Sequence, residues 1–119
     1  MGIEVIKESN LTADGTEQTL VEFTELGKME GYVNLSYLAL GDTAVIRQYQ
    51  KVYGEYRQYA EESYSDIQEL PAVYITQKSG KDGVKITIQQ TAGTLRPFPY
   101  CFFKETELVG APAKKGFDI

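Results

Sequence analysis

The sequence predicts an all-β fold: a single antiparallel β-sandwich of about eight strands, of jelly-roll type. Three observations favour it. Apolar and polar residues alternate with a period of two, most clearly over residues 84–89. Turn residues separate such segments at roughly 8–12-residue intervals. Tyr, Val, Ile, Thr and Phe fill the segments, and no stretch carries a clean helical stripe. A closed barrel is the alternative that this pattern leaves open.

Eight strands follow from the alternation and from the turn residues between them. They are predicted at Ile3–Glu8, Glu17–Glu25, Lys28–Asn34, Thr43–Tyr53, Glu55–Tyr64, Ala72–Lys78, Gly83–Thr91 and Phe98–Lys104.

The connections have turn chemistry. In Asp14-Gly15-Thr16, Gly15 supplies a positive φ between the first two strands. A short loop around Gly54 predicts a tight hairpin between the fourth and fifth strands. Residues 79–82 are predicted to pair the sixth strand with the seventh in a second hairpin. A single helical turn near 34–40, capped by Asn34 or Ser36, is also expected.

The length of 119 residues indicates one domain. The sandwich is predicted at residues 1–104, with a C-terminal arm at 105–119, because the last stretch is rich in Gly, Pro and Lys. The domain is expected to carry extended terminal arms. Phe117 and Ile119 end the C-terminal arm and are apolar enough to dock on this domain or on a neighbour.

Composition excludes several classes of function. With no His and one Cys, the chain has no Ser-His or Cys-His nucleophile pair, no disulfide within the chain and no Cys-rich or His metal site. We therefore expect no enzyme, no cofactor and no metal. A net charge of −5 argues against nucleic-acid binding. No signal peptide and no membrane-length apolar run is recognisable, so synthesis in the cytoplasm is expected.

Two polar features call for an interpretation. Glu61, Glu62, Asp66 and Glu69 surround the end of the fifth strand. Their spacing matches no calcium loop, so we interpret them as a solvated strand end, although a cation site remains an alternative. Strict alternation also points one of Gln89 and Gln90 into the interior, where its amide needs hydrogen-bond partners, for example the backbone at a bulge near Gly93.

Tyrosines are the leading candidates for a binding surface. Nine occur in the chain, and six lie between positions 49 and 74. Tyr suits interfaces because it pairs an apolar ring with a polar tip. Strand alternation places Tyr49 with Tyr53, and Tyr56 with Tyr64, on shared faces, and Tyr59 on the opposite face of its strand. Cross-strand packing, a protein interface and a sugar platform are the alternatives for these five residues.

Four segments resemble a recurrent type of protein: residues 13–19, 32–36, 41–47 and 85–93. The chain resembles, over residues 13–104, small uncharacterised β-rich proteins of archaeal, phage and environmental viral genomes. That resemblance carries no catalytic residue. It implies a virion setting, as a capsid decoration, capsid or tail component.

Two function hypotheses follow. The first is a structural protein that forms a homo-oligomer or binds a viral protein lattice through Tyr-rich faces and its arms. The second is a binding module for carbohydrate or a cell surface. The absence of Trp weakens a sugar platform, and no nucleic-acid or membrane partner is expected.

Overall fold

The computed structural model describes residues 2–25, 27–79 and 83–106, which form eight β-strands. They are β1 (Gly2–Thr12), β2 (Gln18–Phe23), β3 (Lys28–Asn34), β4 (Thr43–Val52), β5 (Glu55–Ser65), β6 (Ala72–Ser79), β7 (Val84–Ala92) and β8 (Pro97–Thr106).

The strands form two four-stranded antiparallel sheets. Sheet one has the order β1-β8-β3-β6, and sheet two has the order β2-β7-β4-β5. The predicted all-β sandwich of eight strands is therefore confirmed. In the part of the chain that the structure describes, no helix is long and apolar enough to cross a membrane.

The strand pairs are nested along the chain. β4 pairs with β5, β3 with β6, β2 with β7, and β1 with β8. Further pairing of β3 with β8 and of β4 with β7 completes the two sheets. The predicted hairpin of β6 with β7 is wrong, because these strands lie in different sheets. Turn residues mark where a strand ends. They do not show whether the next strand pairs with it in a hairpin or belongs to the other sheet, because both kinds of connection use the same residue types.

The core lies between the sheets and comes from alternate positions of the strands. Its largest fully buried side chains include Phe23, Phe98 and Phe102. Gly31 is required in β3, because a Cβ there would collide with the carbonyl oxygen of Cys101 and the side chain of Phe102. β3 and β8 can pair at this point only through a residue without a side chain.

Strand direction sorts the connections to the two ends of the sandwich. The β1–β2, β3–β4, β5–β6 and β7–β8 connections meet at one end, which we call the loop end: residues 13–17, 35–42, 66–71 and 93–96. The β4–β5 turn at Tyr53 and Gly54 lies at the opposite end, which we call the hairpin end. The helical turn expected near residue 34 is a hydrogen-bonded turn, in which Asn34 Oδ1 accepts the amide of Ser36 at 2.9 Å.

The N-terminal residues belong to the sandwich, whereas most of the predicted C-terminal arm lies outside the described residues. Residues 2–12 form a full edge strand along β8, whereas extended arms were predicted at the termini. β8 extends to Thr106, two residues past the predicted strand end. The rest of the predicted arm, with Phe117 and Ile119, lies outside the described residues.

Candidate functional site

A buried carboxylate organises the loop end. Asp42 is 2% exposed. Its Oδ2 accepts the amide of Ala39 at 2.9 Å and Arg96 Nε at 2.6 Å, and its Oδ1 accepts the amide of Thr94 at 2.9 Å. The Ala39 amide, followed by Arg96 and the Thr94 amide, lowers the pKa of this carboxyl despite the opposing effect of burial. One side chain therefore ties the β3–β4 loop to the β7–β8 loop.

A buried amide completes this connection. Gln90, at 2% exposure, is the inward glutamine that the sequence predicted. Its Nε2 donates to the carbonyls of Ala92 at 3.0 Å and Thr94 at 2.6 Å, and its Oε1 accepts the amide of Arg96 at 2.8 Å. The expected role of a structural amide bonded to backbone near Gly93 is confirmed. Sequence reasoning missed Asp42, which binds the same two residues, Thr94 and Arg96.

The β5–β6 loop is fixed to the same group. The amide of Gly41 donates to Asp66 Oδ1, and the amide of Asp66 donates to the carbonyl of Asp42, both at 2.8 Å. The amide of Leu35 donates to the carbonyl of Pro71 at 2.8 Å. The loops of this end are thus held to one another by hydrogen bonds, which makes them a fixed surface.

This loop end exposes large apolar side chains. We call the following set the apolar crown: Tyr37, Leu40, Ile67, Leu70 and Leu95. Leu40, Ile67 and Leu70 are 84%, 76% and 83% exposed, so they pack very little against the rest of the sandwich. Exposed apolar groups gathered in one region mark an interaction site more often than singly scattered ones do. No signal in the sequence marks the crown, because its members come from three separate loops.

The loops of this end are also rich in acidic residues. The four described loops carry Asp14, Glu17, Asp42, Asp66 and Glu69, whereas Arg96 is their one cation and is paired with Asp42. This end of the sandwich is therefore apolar and acidic together.

The predicted acidic cluster is divided among separate roles. Asp66 serves the loop contact above, and Glu61 accepts Arg47 Nε at 2.8 Å on the outer face of sheet two. In residues 2–25, 27–79 and 83–106, no group of three Asp, Glu or Cys residues is placed to hold a metal ion. Glu61 and Asp66 are therefore engaged in two separate contacts.

Two of the predicted tyrosines meet on the outer face of sheet two. Lys85 Nζ lies 4.9 Å from the ring centroids of both Tyr49 and Tyr56, so one ammonium contacts two rings. The Tyr56 hydroxyl donates to Glu22 Oε2 at 2.6 Å. Burial, followed by this bond to Glu22, raises the pKa of Tyr56 to about 12.

A charged network surrounds this tyrosine pair. The hydroxyls of Tyr49 and Thr87 both donate to Glu17, Thr87 at 2.6 Å. Arg47 Nη1 lies 3.6 Å from Glu17 Oε1, and Arg47 also donates to Glu61 and to Gln89. Because the hydroxyls and carboxylates already bind one another, this face offers half-buried rings rather than free polar groups.

The other three predicted tyrosines lie elsewhere. Tyr64 packs against the core, so the prediction that it shares a face with Tyr56 is wrong. A register shift between Gln48 and Tyr49 adds an unpaired residue, Tyr59, in β5 and reverses the alternation. The Tyr59 hydroxyl donates to Gln48 Oε1 at 3.1 Å, with Lys78 Nζ 5.9 Å from its ring. Tyr53 stands alone at the hairpin turn with its side chain fully exposed.

Sheet one carries a second aromatic pair on its outer face, which sequence reasoning did not single out. The Tyr32 and Tyr74 ring centroids are 5.2 Å apart, and Tyr74 donates to Glu30 Oε1 at 2.8 Å. Beside Tyr32 lies a shallow depression of about 260 Å³ that reaches Pro99 and Cys101. Cys101 is half-buried, and burial, with Glu8 nearby, raises the pKa of its thiol.

Comparison with known proteins gives no relative. No family model matches the chain, and neither a curated protein nor a solved structure matches it.

Proposed function

We propose that this protein is a non-enzymatic structural protein that assembles through protein–protein contacts, either with copies of itself or with a protein lattice. The observation that carries the proposal is the apolar crown at the loop end. Contact of Leu40, Ile67 and Leu70 with water is unfavourable in free energy, and a partner that covers these side chains removes that contact.

The rigidity of these loops supports the proposal. Asp42, Gln90 and Asp66 hold them together through the hydrogen bonds described above. A surface that is ordered before binding loses less conformational entropy when a partner covers it. The crown is thus preorganised for a partner.

A virion is the proposed setting, as a capsid decoration, capsid or tail component made in the cytoplasm. The resemblance of residues 13–104 to proteins of viral genomes is one support. The jelly-roll form predicted from the sequence belongs to this proposal, and the nested strand pairs support it, since a jelly roll is two sheets filled by eight strands in two Greek keys. Viral capsid domains are among the proteins that use it.

The C-terminal segment belongs to the proposal as a second contact. β8 ends at Thr106, where its partner is Gly2, so the segment starts at the opposite end of the sandwich from the crown. If it docks on a neighbour through Phe117 and Ile119, replacing both with Ser in the full chain lowers the mass of the assembly.

The test is the mass of the full chain in solution, measured by light scattering over a range of concentrations. We expect a mass above the 13.3 kDa of one chain. A mass of 13.3 kDa throughout, combined with specific glycan binding on an array, would contradict assembly and favour the alternative below.

A carbohydrate or cell-surface binding module is the second candidate. It is favoured by Tyr49 and Tyr56, whose rings share one outer face around Lys85. Aromatic rings beside polar groups suit a sugar ring. Replacing Tyr56 with Ala would then abolish glycan binding and leave the mass in solution unchanged.

A further inference from the structure

Tyr53 packs against no other part of the sandwich that the structure describes. It is fully exposed, so no other part of the described chain covers it. It also has a φ of +51°, followed by Gly54 at +83°. Two positive φ values define the two-residue hairpin turn in which Asn-Gly is favoured and a bulky residue is not. A strained, fully exposed aromatic residue points to use outside the fold.

The charges near Tyr53 differ from those at the crown. Within residues 51–57, Lys51 and Arg57 face one acid, Glu55, which pairs with Arg57 at 3.3 Å. The loop end carries five acidic residues and one cation. Two loop ends placed together would bring like charges into contact, which costs free energy. The β4–β5 tip, residues 51–57, has the opposite sign, because its two cations outnumber its one acid.

We propose that copies of this chain associate head to tail, with Tyr53 and Val52 of one copy packed on the apolar crown of the next. The inference rests on the proposed function and names the partner as a second copy. Val52, at 57% exposure, adds an aliphatic side chain to the same tip. A contact between two different surfaces does not close on itself, so it produces rings or filaments rather than a simple dimer.

Two variants test the contact by blocking one end each. Tyr53→Asn removes the ring and suits the turn, so it folds. Leu40→Asp places a charge in the crown at a residue that is 84% exposed, so it also folds. We expect each variant alone to have a mass of 13.3 kDa at concentrations where the wild type is larger.

A mixture of the two variants gives the sharper result. The crown of the Tyr53→Asn variant is intact, and so is the tip of the Leu40→Asp variant. An equimolar mixture is therefore expected to form a 1:1 pair of twice 13.3 kDa and to grow no further. The matched control is Tyr32→Asn, the same substitution at a tyrosine on the outer face of sheet one, and it should retain the wild-type mass.

Three outcomes would overturn the inference, and the first two leave the proposed function standing. If Tyr53→Asn keeps the wild-type mass, the chain assembles through another contact and only the head-to-tail contact is wrong. If the mixture does not pair, the two ends are not partners. If the wild type is a monomer but binds phosphatidylcholine vesicles, and Leu40→Asp does not, the crown binds lipid and both proposals are wrong.

Discussion

At the scale of single residues, buried polar groups determine the loop end. Alternation of apolar and polar positions was enough to predict that one of Gln89 and Gln90 points inward. It could not find Asp42, because the partners Thr94 and Arg96 lie 52 and 54 positions away in the sequence. Contacts over such separations depend on strand order, which a single sequence does not contain.

Acid should destabilise the protein partly through Asp42. The pKa of its carboxyl is lowered in the folded state, chiefly by the Ala39 amide, so its stabilising effect is complete above the unfolded pKa of about 3.9. It is lost as the pH falls from there through the folded pKa. In urea unfolding, Asp42→Asn should be less stable than the wild type at pH 7, and the difference should shrink below about pH 4. A constant difference across this range would contradict the assignment.

Gln90 should be costly to replace by an apolar residue. Gln90→Leu leaves the carbonyl of Thr94 and the amide of Arg96 without their partner. Unsatisfied buried groups cost about 1–3 kcal/mol, so urea unfolding should show a loss in that range or above it. Gln89→Leu is the control, since Gln89 is half-buried and its two partners, the carbonyl of Gly15 and Arg47 Nη1, lie on the outer side of sheet two rather than in the core. Equal losses for both variants would show that burial of Gln90 does not matter.

At the scale of strands, local patterns were good predictors of position and poor predictors of pairing. Each predicted strand is present, because alternation and β-forming residues are properties of neighbouring positions. The face of Tyr64 was predicted wrongly, since the extra residue at Tyr59 leaves no trace in composition. The β6–β7 hairpin was predicted wrongly. Two consecutive strands can bury their apolar faces either side by side in one sheet or opposite each other in two sheets, and the alternation of residues is the same in both cases.

The β4–β5 turn should tolerate the substitution that blocks assembly. Tyr53 has a left-handed backbone, which costs most residues about 1–2 kcal/mol and Asn less. Tyr53→Asn should therefore raise the free energy of unfolding by about 1 kcal/mol in urea, measured at a concentration where the wild type is monomeric. A lower stability would mean that the ring supports the fold, and the argument for its use by a partner would fail.

The contact between Tyr56 and Glu22 on the outer face of sheet two should be measurable by titration of the tyrosines. Burial and the hydrogen bond to Glu22 raise the pKa of Tyr56 to about 12. Glu22→Gln removes the carboxylate charge and should bring this pKa closer to the ordinary value of about 10. Absorbance at alkaline pH, with circular dichroism to confirm that the protein is folded, measures the change. An unchanged titration would place Tyr56 away from Glu22.

At the scale of the whole molecule, the sandwich could be predicted and its binding surface could not. Length, composition and period were enough to predict an all-β sandwich. The crown required knowledge of which loops adjoin, because Leu40, Ile67 and Leu95 come from three connections. Tyr53 was a candidate from the start, but its full exposure and backbone strain are visible only in the structure.

The central claim is that the apolar crown is covered by another copy of this chain in the working state. Sedimentation equilibrium of the full chain, beside a variant with Leu40→Asp and Ile67→Asp, tests it most directly. We predict that the wild-type mass rises above 13.3 kDa with concentration and that the double variant stays at 13.3 kDa. A control with Val5→Asp and Tyr32→Asp, two exposed residues of sheet one, should behave as the wild type. Equal masses for the wild type and the crown variant at every concentration would contradict the account.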